Sequence, residues 1–249
     1  MRILLVGPTD VGKTTLSLEL ARRAARRHGA AYRLDLDVGQ GDLPGACTLF
    51  RHTPQGAHVL RRALVGRVSP MGAGLELLAA SLRLARLVPE PAFLVVDTDG
   101  LTEGAFARAL RYHQADAVAA REVWVIGAEG LASVFAGRED LKVRVLPPPP
   151  GVREKPREER RQRRAARLAA HFAGATHRVL PLPVPDARRL WALLDAKGWL
   201  LGYGRVEAYA GGLGLIRTPV RGRVARLERT ELAATDAPGV HRLLPGWSP

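Results

Sequence analysis

Four apolar residues, Ile3-Leu4-Leu5-Val6, run straight into Gly7-Pro8-Thr9-Asp10-Val11-Gly12-Lys13-Thr14-Thr15, and a helical pattern begins at Leu16. A strand, a G-x-x-x-x-G-K-T loop and a helix in immediate succession make a phosphate-binding unit, which is found on mostly parallel α/β sheets. The chemistry comes from the backbone. Consecutive N–H groups curl around a phosphate, and the positive end of the following helix adds to the attraction. Gly7 and Gly12 let the main chain approach where a side chain would intrude. Lys13 is expected to reach the β- and γ-phosphates and the Thr14 hydroxyl to ligate Mg2+, with Thr9, Asp10, Val11 and Thr15 completing the cradle. The loop therefore predicts a bound nucleoside triphosphate, taken as ATP with Mg2+.

The rest of the chain alternates strand and helix patterns. A second strand, Ala31 to Leu36, leads into Asp37-Val38-Gly39-Gln40-Gly41, and the Gly-, Pro- and Arg-rich segment 42–70 reads as loops with short extended pieces. A helix over about 74–87 places Leu75, Leu78 and Leu82 on one face. The buried-type strand Phe93-Leu94-Val95-Val96 ends in Asp97-Thr98-Asp99-Gly100. Further helices over about 103–114 and 128–136 alternate with strands at 122–127 and 142–146, which predicts a mostly parallel sheet covered by helices on both faces. Pro147 to Pro150 stop regular structure, and an arginine-rich helix follows over about 157–172. Beyond Leu180 the pattern changes to a short helix at 187–196 and then glycine-separated strands. The expected organisation is a nucleotide-binding domain over 1–178, carrying a lid at about 151–174, and a small β-rich domain over 179–249.

Charge adds a second constraint. The 249 residues carry 38 basic and 24 acidic side chains, a net charge of +14, with a pI near 11.2. Such an excess points to a polyanionic partner. Lys13, Lys142, Lys155 and Lys197 are the only lysines, so the charge is almost all arginine, whose fork suits phosphate. Cys47 is the only cysteine, which excludes an internal disulfide and a cysteine-based zinc site. The seven histidines show no metal-ligand spacing, and Trp124, Trp191, Trp199 and Trp247 read as packing residues. No stretch approaches the roughly 20 apolar residues of a membrane span, and the start resembles no signal peptide, so a cytoplasmic protein without membrane partners is expected.

Phosphoryl transfer needs a phosphate cradle, a metal site, a group that orients or deprotonates the nucleophile, and positive charge on the transferred group. Asp97 ends an apolar strand where a metal-holding carboxylate usually stands. Asp35 and Asp37 end the second strand and are expected to diverge. Asp37, nearer the loop edge, is assigned as the base; Asp35 is either a further metal carboxylate or a structural one. Seven arginines lie between Arg153 and Arg167, and Arg153, Arg157, Arg160, Arg164 and Arg167 are spaced to line one helix face. A lid closing over phosphates would supply the counter-charge this face lacks.

Taken together, the Gly7–Thr15 loop, Asp35-Leu36-Asp37-Val38-Gly39-Gln40-Gly41 with Pro44-Gly45, Gly66-Arg67-Val68-Ser69-Pro70, Val96-Asp97-Thr98-Asp99-Gly100 and the arginine segment resemble the polynucleotide 5′-hydroxyl kinases related to the Clp-type kinase of pre-mRNA cleavage and the Grc-type kinase of ribosomal RNA processing. The resemblance covers roughly residues 1–175 and extends more loosely to the C-terminal segment. It implies ATP- and Mg2+-dependent phosphorylation of RNA or DNA 5′-OH ends. Asp37 falls on the family's catalytic carboxylate, Lys13 and Thr14 serve the nucleotide, and Arg160 and Arg164 lie among the lid arginines. Gln40, Ser69, Thr98, Arg161 and Arg167 would contact the acceptor. The sequence departs from the family at Asp97, where the family has Asn, and at Leu101, where it has Trp.

Two other readings share the loop. One is a nucleotide-holding scaffold of an RNA-processing assembly. The other is a regulatory NTPase, although no lysine stands in the Thr-Lys-x-Asp element that selects guanine.

Overall fold

The structure is a computed structural model, which describes residues 1–234. Trp247 and the rest of 235–249 lie outside the described residues. Two sheets form. The first has seven strands in the order β4-β3-β2-β5-β1-β6-β7. They are β1 (Arg2–Val6), β2 (Ala31–Asp35), β3 (Ala46–Thr53), β4 (Gly56–Leu64), β5 (Leu94–Asp97), β6 (Glu122–Ile126) and β7 (Lys142–Leu146). β2, β5, β1, β6 and β7 are mutually parallel, while β3 and β4 add an antiparallel hairpin at one edge.

The apolar runs read as central strands are buried on both sides. Because successive side chains alternate faces, Ile3, Leu5 and Val95 pack under helix α1 (Lys13–His28), where Ala21 joins them. Leu4, Val6 and Val96 face the larger core, with Leu77 and Leu84 of α2 (Gly74–Ala85) and Leu110 of α3 (Gly104–Ala117). The register pairs Leu5 with Asp97, and Asp97 with Asp35, so the strand-end carboxylates stand side by side.

The second sheet, order β12-β9-β10-β11-β8, is antiparallel. Its strands are β8 (Thr176–Pro181), β9 (Arg189–Leu194), β10 (Leu200–Ala210), β11 (Leu213–Thr218) and β12 (Arg226–Ala233). One face packs Leu190, Ala192, Leu194 and Tyr203 against Leu168 and Phe172 of α4 (Arg157–Phe172) and against Leu43 and Ala46 of the first domain. The other face buries Trp191, Leu193, Val206 and Ile216.

Several local expectations are corrected. Residues 187–196 are not helical: β9 occupies the segment, with five of its six residues buried. Leu, Ala and Arg favour helices, but two-sided burial and pairing with β10 and β12 override that preference. Segment 42–70 forms the long β3–β4 hairpin rather than mainly loops. The core face of α2 is Leu77, Ala80, Ser81, Leu84 and Ala85, not the Leu75 stripe; Leu75 is 82% exposed. Residues Glu129–Phe135 form a 3-10 helix. Arg153 precedes α4 and pairs with Glu159 at 3.0 Å instead of joining the helix face.

Candidate active site

At the carboxyl edge of the first sheet, α1 starts abruptly. Gly12 sits at its N-cap with φ 85°, a left-handed value that favours glycine, and no side chain caps the first turn. The first-turn N–H groups are therefore left for a ligand, and the helix end carries positive partial charge. The loop is fixed from behind. A Cβ on Gly7 would fall 2.2 Å from Ile126 O, and one on Gly100 2.2 Å from Thr9 Cγ2. Val11 fills the space beside Gly127, while Thr14 and Thr15 are exposed at the helix start. Lys13 is buried, and its Nζ donates to Gly7 O at 2.8 Å and Pro8 O at 2.6 Å. Burial lowers its pKa, and the charges of Asp97 and Asp37 oppose that shift.

Three carboxylates, those of Asp35, Asp37 and Asp97, lie close enough here to repel one another. Asp97 is buried, with Ser17 Oγ 3.4 Å from its Oδ2 and Oδ1 without a hydrogen-bond partner. Burial, then repulsion from Asp35, raises its pKa to about 7, while Lys13 and the Thr14 hydroxyl pull it down. A buried, partnerless carboxylate oxygen beside the exposed Thr14 fits a divalent cation, which would supply the missing positive charge. Among the described residues no group of three His, Cys, Asp or Glu is arranged as a metal site.

Asp35 is committed elsewhere. Its Oδ1 accepts from Asp37 N at 3.1 Å, its Oδ2 from Asp42 N at 3.2 Å, and Arg33 lies 3.4 Å away. It organises the loop that follows β2. Asp37 is half-buried, and its Oδ1 accepts from Gly39 N at 3.0 Å and Gln40 N at 2.8 Å. The two carboxylates do not diverge enough to be independent, because residues two apart on an extended chain share a side. Burial and then the Asp35 charge raise Asp37 to about 6.

The lid lies over both loops. Arg160, Arg164 and Arg167 are partly buried on the inner face of α4. Arg160 NH1 lies 3.5 Å from Asp10 Oδ2, and Arg167 donates to the Gln40 and Gly41 carbonyls. Gln40 Nε2 donates to Arg160 O at 3.2 Å. Arg164 has neither a hydrogen bond nor an ion pair among the described residues. Arg161 points outward, 71% exposed, 4.0 Å from Glu158. Asp10, expected in the phosphate cradle, turns its carboxylate to the lid; burial raises its pKa, but Lys155 outweighs that and the net shift is downward.

Ser69 is exposed and accepts from Met71 N at 3.3 Å; its neighbour Val68 abuts Gly39. Thr98 is buried, its hydroxyl 2.8 Å from Leu5 O. Leu101 packs on the core of the first domain.

Four residues beyond those expected shape the site. Ser17 approaches Asp97. Arg33 lies between Asp35 and Asp97, 3.8 Å from the latter, with its guanidinium 4.4 Å from the Phe50 ring centroid. Fully buried Arg111 pairs with Asp99 and donates to Leu101 O at 2.9 Å, holding the loop that backs Thr9. Lys155 pairs with Asp10. Arg33, charged in an otherwise apolar strand and two residues before Asp35, was the one readable signal.

A family model described as the mRNA cleavage and polyadenylation factor CLP1 P-loop matches residues 7–174, from the phosphate loop through the lid. The chain belongs to the CLP1 P-loop family. A CLP1 homologue from Arabidopsis thaliana is 30% identical over 203 residues, covering 72% of this chain and 45% of the relative. One from Drosophila mojavensis is 31% identical over 199 residues, covering 69% and 45%. The chain thus spans about half the length of the curated relatives it matches. Two solved structures of Clp1p with Pcf11p share the fold. The first has a TM-score of 0.72 at 14% identity over 93% of this chain and 74% of that one; the second has 0.71 at 15%. A CLP1-type P-loop with an uncapped helix and an inward lysine is a nucleotide-binding site.

Proposed function

We propose that this CLP1-family protein is a polynucleotide 5′-hydroxyl kinase that moves the γ-phosphoryl group of ATP to the 5′-OH end of RNA or DNA. The observation that carries the reading is Asp37. Its carboxyl, pushed up to about 6 by burial and by Asp35, lies near enough to Lys13 to influence it, beside an arginine lid. A carboxylate ionised at neutral pH yet basic enough to take a proton is what an alcohol nucleophile requires.

In this mechanism the first-turn N–H groups of α1 and Lys13 hold the triphosphate. Thr14 and Asp97 would hold Mg2+, which when bound offsets charge on the phosphates. The 5′-oxygen attacks the γ-phosphorus as its proton passes to Asp37; the bond to the β-γ bridging oxygen breaks, and ADP leaves. Lid guanidinium groups meet the charge on the transferred group. Since Leu101 packs inward, the terminal base has no aromatic platform at that position, so acceptor recognition rests on the backbone and the basic lid. The CLP1 kinship and the +14 charge support an RNA-processing setting with a protein partner, as Clp1p has in its solved complexes.

The test is transfer of labelled γ-phosphate to matched RNA and DNA 5′-OH oligonucleotides, single-stranded and duplex. Lys13→Ala should abolish it. ATP binding without transfer to every acceptor would defeat the kinase reading and favour a nucleotide-holding scaffold.

A further inference from the structure

We propose that Asp10, within the phosphate-binding loop, is a positioning residue that latches the lid over the site through Lys155 and Arg160, leaving Arg164 as the lid arginine free to meet the transferred phosphoryl group. The role of Arg164 rests on the kinase reading; the latch does not.

Asp10 has φ 61°, in the left-handed region that L-residues other than glycine seldom adopt. Such a conformation persists when surrounding contacts hold it. Here those contacts come from the lid. Asp10 Oδ2 accepts from Lys155 N at 2.9 Å, Oδ1 meets the Lys155 ammonium, and the Arg160 guanidinium lies 3.5 Å away. A carboxylate in a triphosphate cradle would repel its ligand, so a residue placed here is useful only when turned away and neutralised. Both conditions are met.

The strap that carries Lys155 is seated on that loop at Gly12 and on the turn after β6 at Gly127. A Cβ on Gly12 would fall 3.1 Å from Pro149 Cγ, and one on Gly127 2.9 Å from Pro148 Cγ. On the acceptor side the lid is tied through Gln40 and Arg167. Lys155 and Arg167 hold the lid down by hydrogen bonds and Arg160 by an ion pair to Asp10, its buried Nη1 lacking a hydrogen-bond partner. Arg164, on the same inner face, is the cation left over.

The test reads the lid itself. Hydrogen–deuterium exchange over residues 151–174 in the nucleotide-free protein should accelerate at least about tenfold in Asp10→Ala and in Lys155→Ala, whose side chain lies outside the loop and leaves it intact. Affinity for a fluorescent ATP analogue should change less than about threefold in Lys155→Ala, whereas turnover should drop about 10- to 100-fold. Arg164→Ala should cost about 10^3-fold in turnover without altering exchange, and Arg160→Ala should speed exchange.

Unchanged lid exchange in both single variants overturns the latch. So does lost nucleotide affinity in Asp10→Ala with the lid still protected, which would return Asp10 to the cradle. Faster exchange in the variants, together with no phosphate transfer by the wild-type protein, supports the latch while rejecting the kinase reading. Faster exchange in Arg164→Ala overturns the division of roles.

Discussion

The acid side of the pH–rate profile should be set by Asp37, and Asp35 should be able to move it. Asp37 stands at about 6 against an ordinary 3.8 because it is buried and because Asp35 repels it; N–H groups of Gln40 and Gly39 pull the other way. At about 1.4 kcal/mol per tenfold change, the environment disfavours the charged carboxylate by at most about 3 kcal/mol. In the nucleotide-free protein Asp37 is then about nine-tenths ionised at pH 7, half at pH 6 and about one-tenth at pH 5, so on the kinase reading activity should fall as the pH drops through this range. Asp37→Asn should reduce turnover by about 10^2- to 10^4-fold and flatten the acid limb in whatever activity remains. Asp35→Asn removes the neighbouring charge and should shift the limb to lower pH. The assay is single-turnover transfer of labelled phosphate from pH 4.5 to 8.5 with saturating ATP and Mg2+. Full activity in Asp37→Asn, or a limb that stays put in Asp35→Asn while its activity survives, would refute the assignment.

Three further outcomes follow from the same geometry. Asp97 has a folded pKa raised to about 7, so its contribution to stability is fully present below about 3.8 and lost as pH rises through 7. Asp97→Asn should raise the Tm of the nucleotide-free protein at pH 8 and give no such gain at pH 4.5, as read by thermal denaturation. Gly100→Ala would drive a methyl group into Thr9 and should cost about 1–3 kcal/mol in urea unfolding, with weakened nucleotide binding. His171 is held to about 4 by burial, and its Nε2 accepts from Tyr203 N at 2.9 Å. Because the folded pKa is depressed, its contribution is complete above about 6.5 and lost toward pH 4; that pH dependence should shrink in His171→Ala.

What could be read from the sequence was local. The phosphate loop depends on contiguous residues, so strand, loop and helix were all visible; of the five arginines spaced for one lid face, Arg160, Arg164 and Arg167 lie partly buried there, while Arg153 precedes α4 and Arg157 is exposed. Contributions from distant segments were not visible. β9 has helix-forming residues, and only its two sheet neighbours make it a strand. The Leu75, Leu78 and Leu82 spacing fits a helix, but Leu75 is exposed because the sheet meets the neighbouring face. The sequence placed Asp97 where a metal carboxylate usually stands and left Asp35 as either a further metal carboxylate or a structural one. The distinction lies in which backbone N–H groups fold back onto each, and no spacing rule encodes that.

The joint between the two domains limits how this protein can be divided. Tyr203 Oη donates to Pro44 O at 2.9 Å, and Leu43, Ala46, Leu168 and Phe172 share one core with the second sheet. The loop after β2 and the far end of the lid therefore draw their rigidity from residues beyond position 190. A fragment cut after α4 would keep the nucleotide cradle but lose the footing of the lid. The C-terminal sheet is thus a structural member of the site, and mutations on its inward face should act as remote active-site mutations.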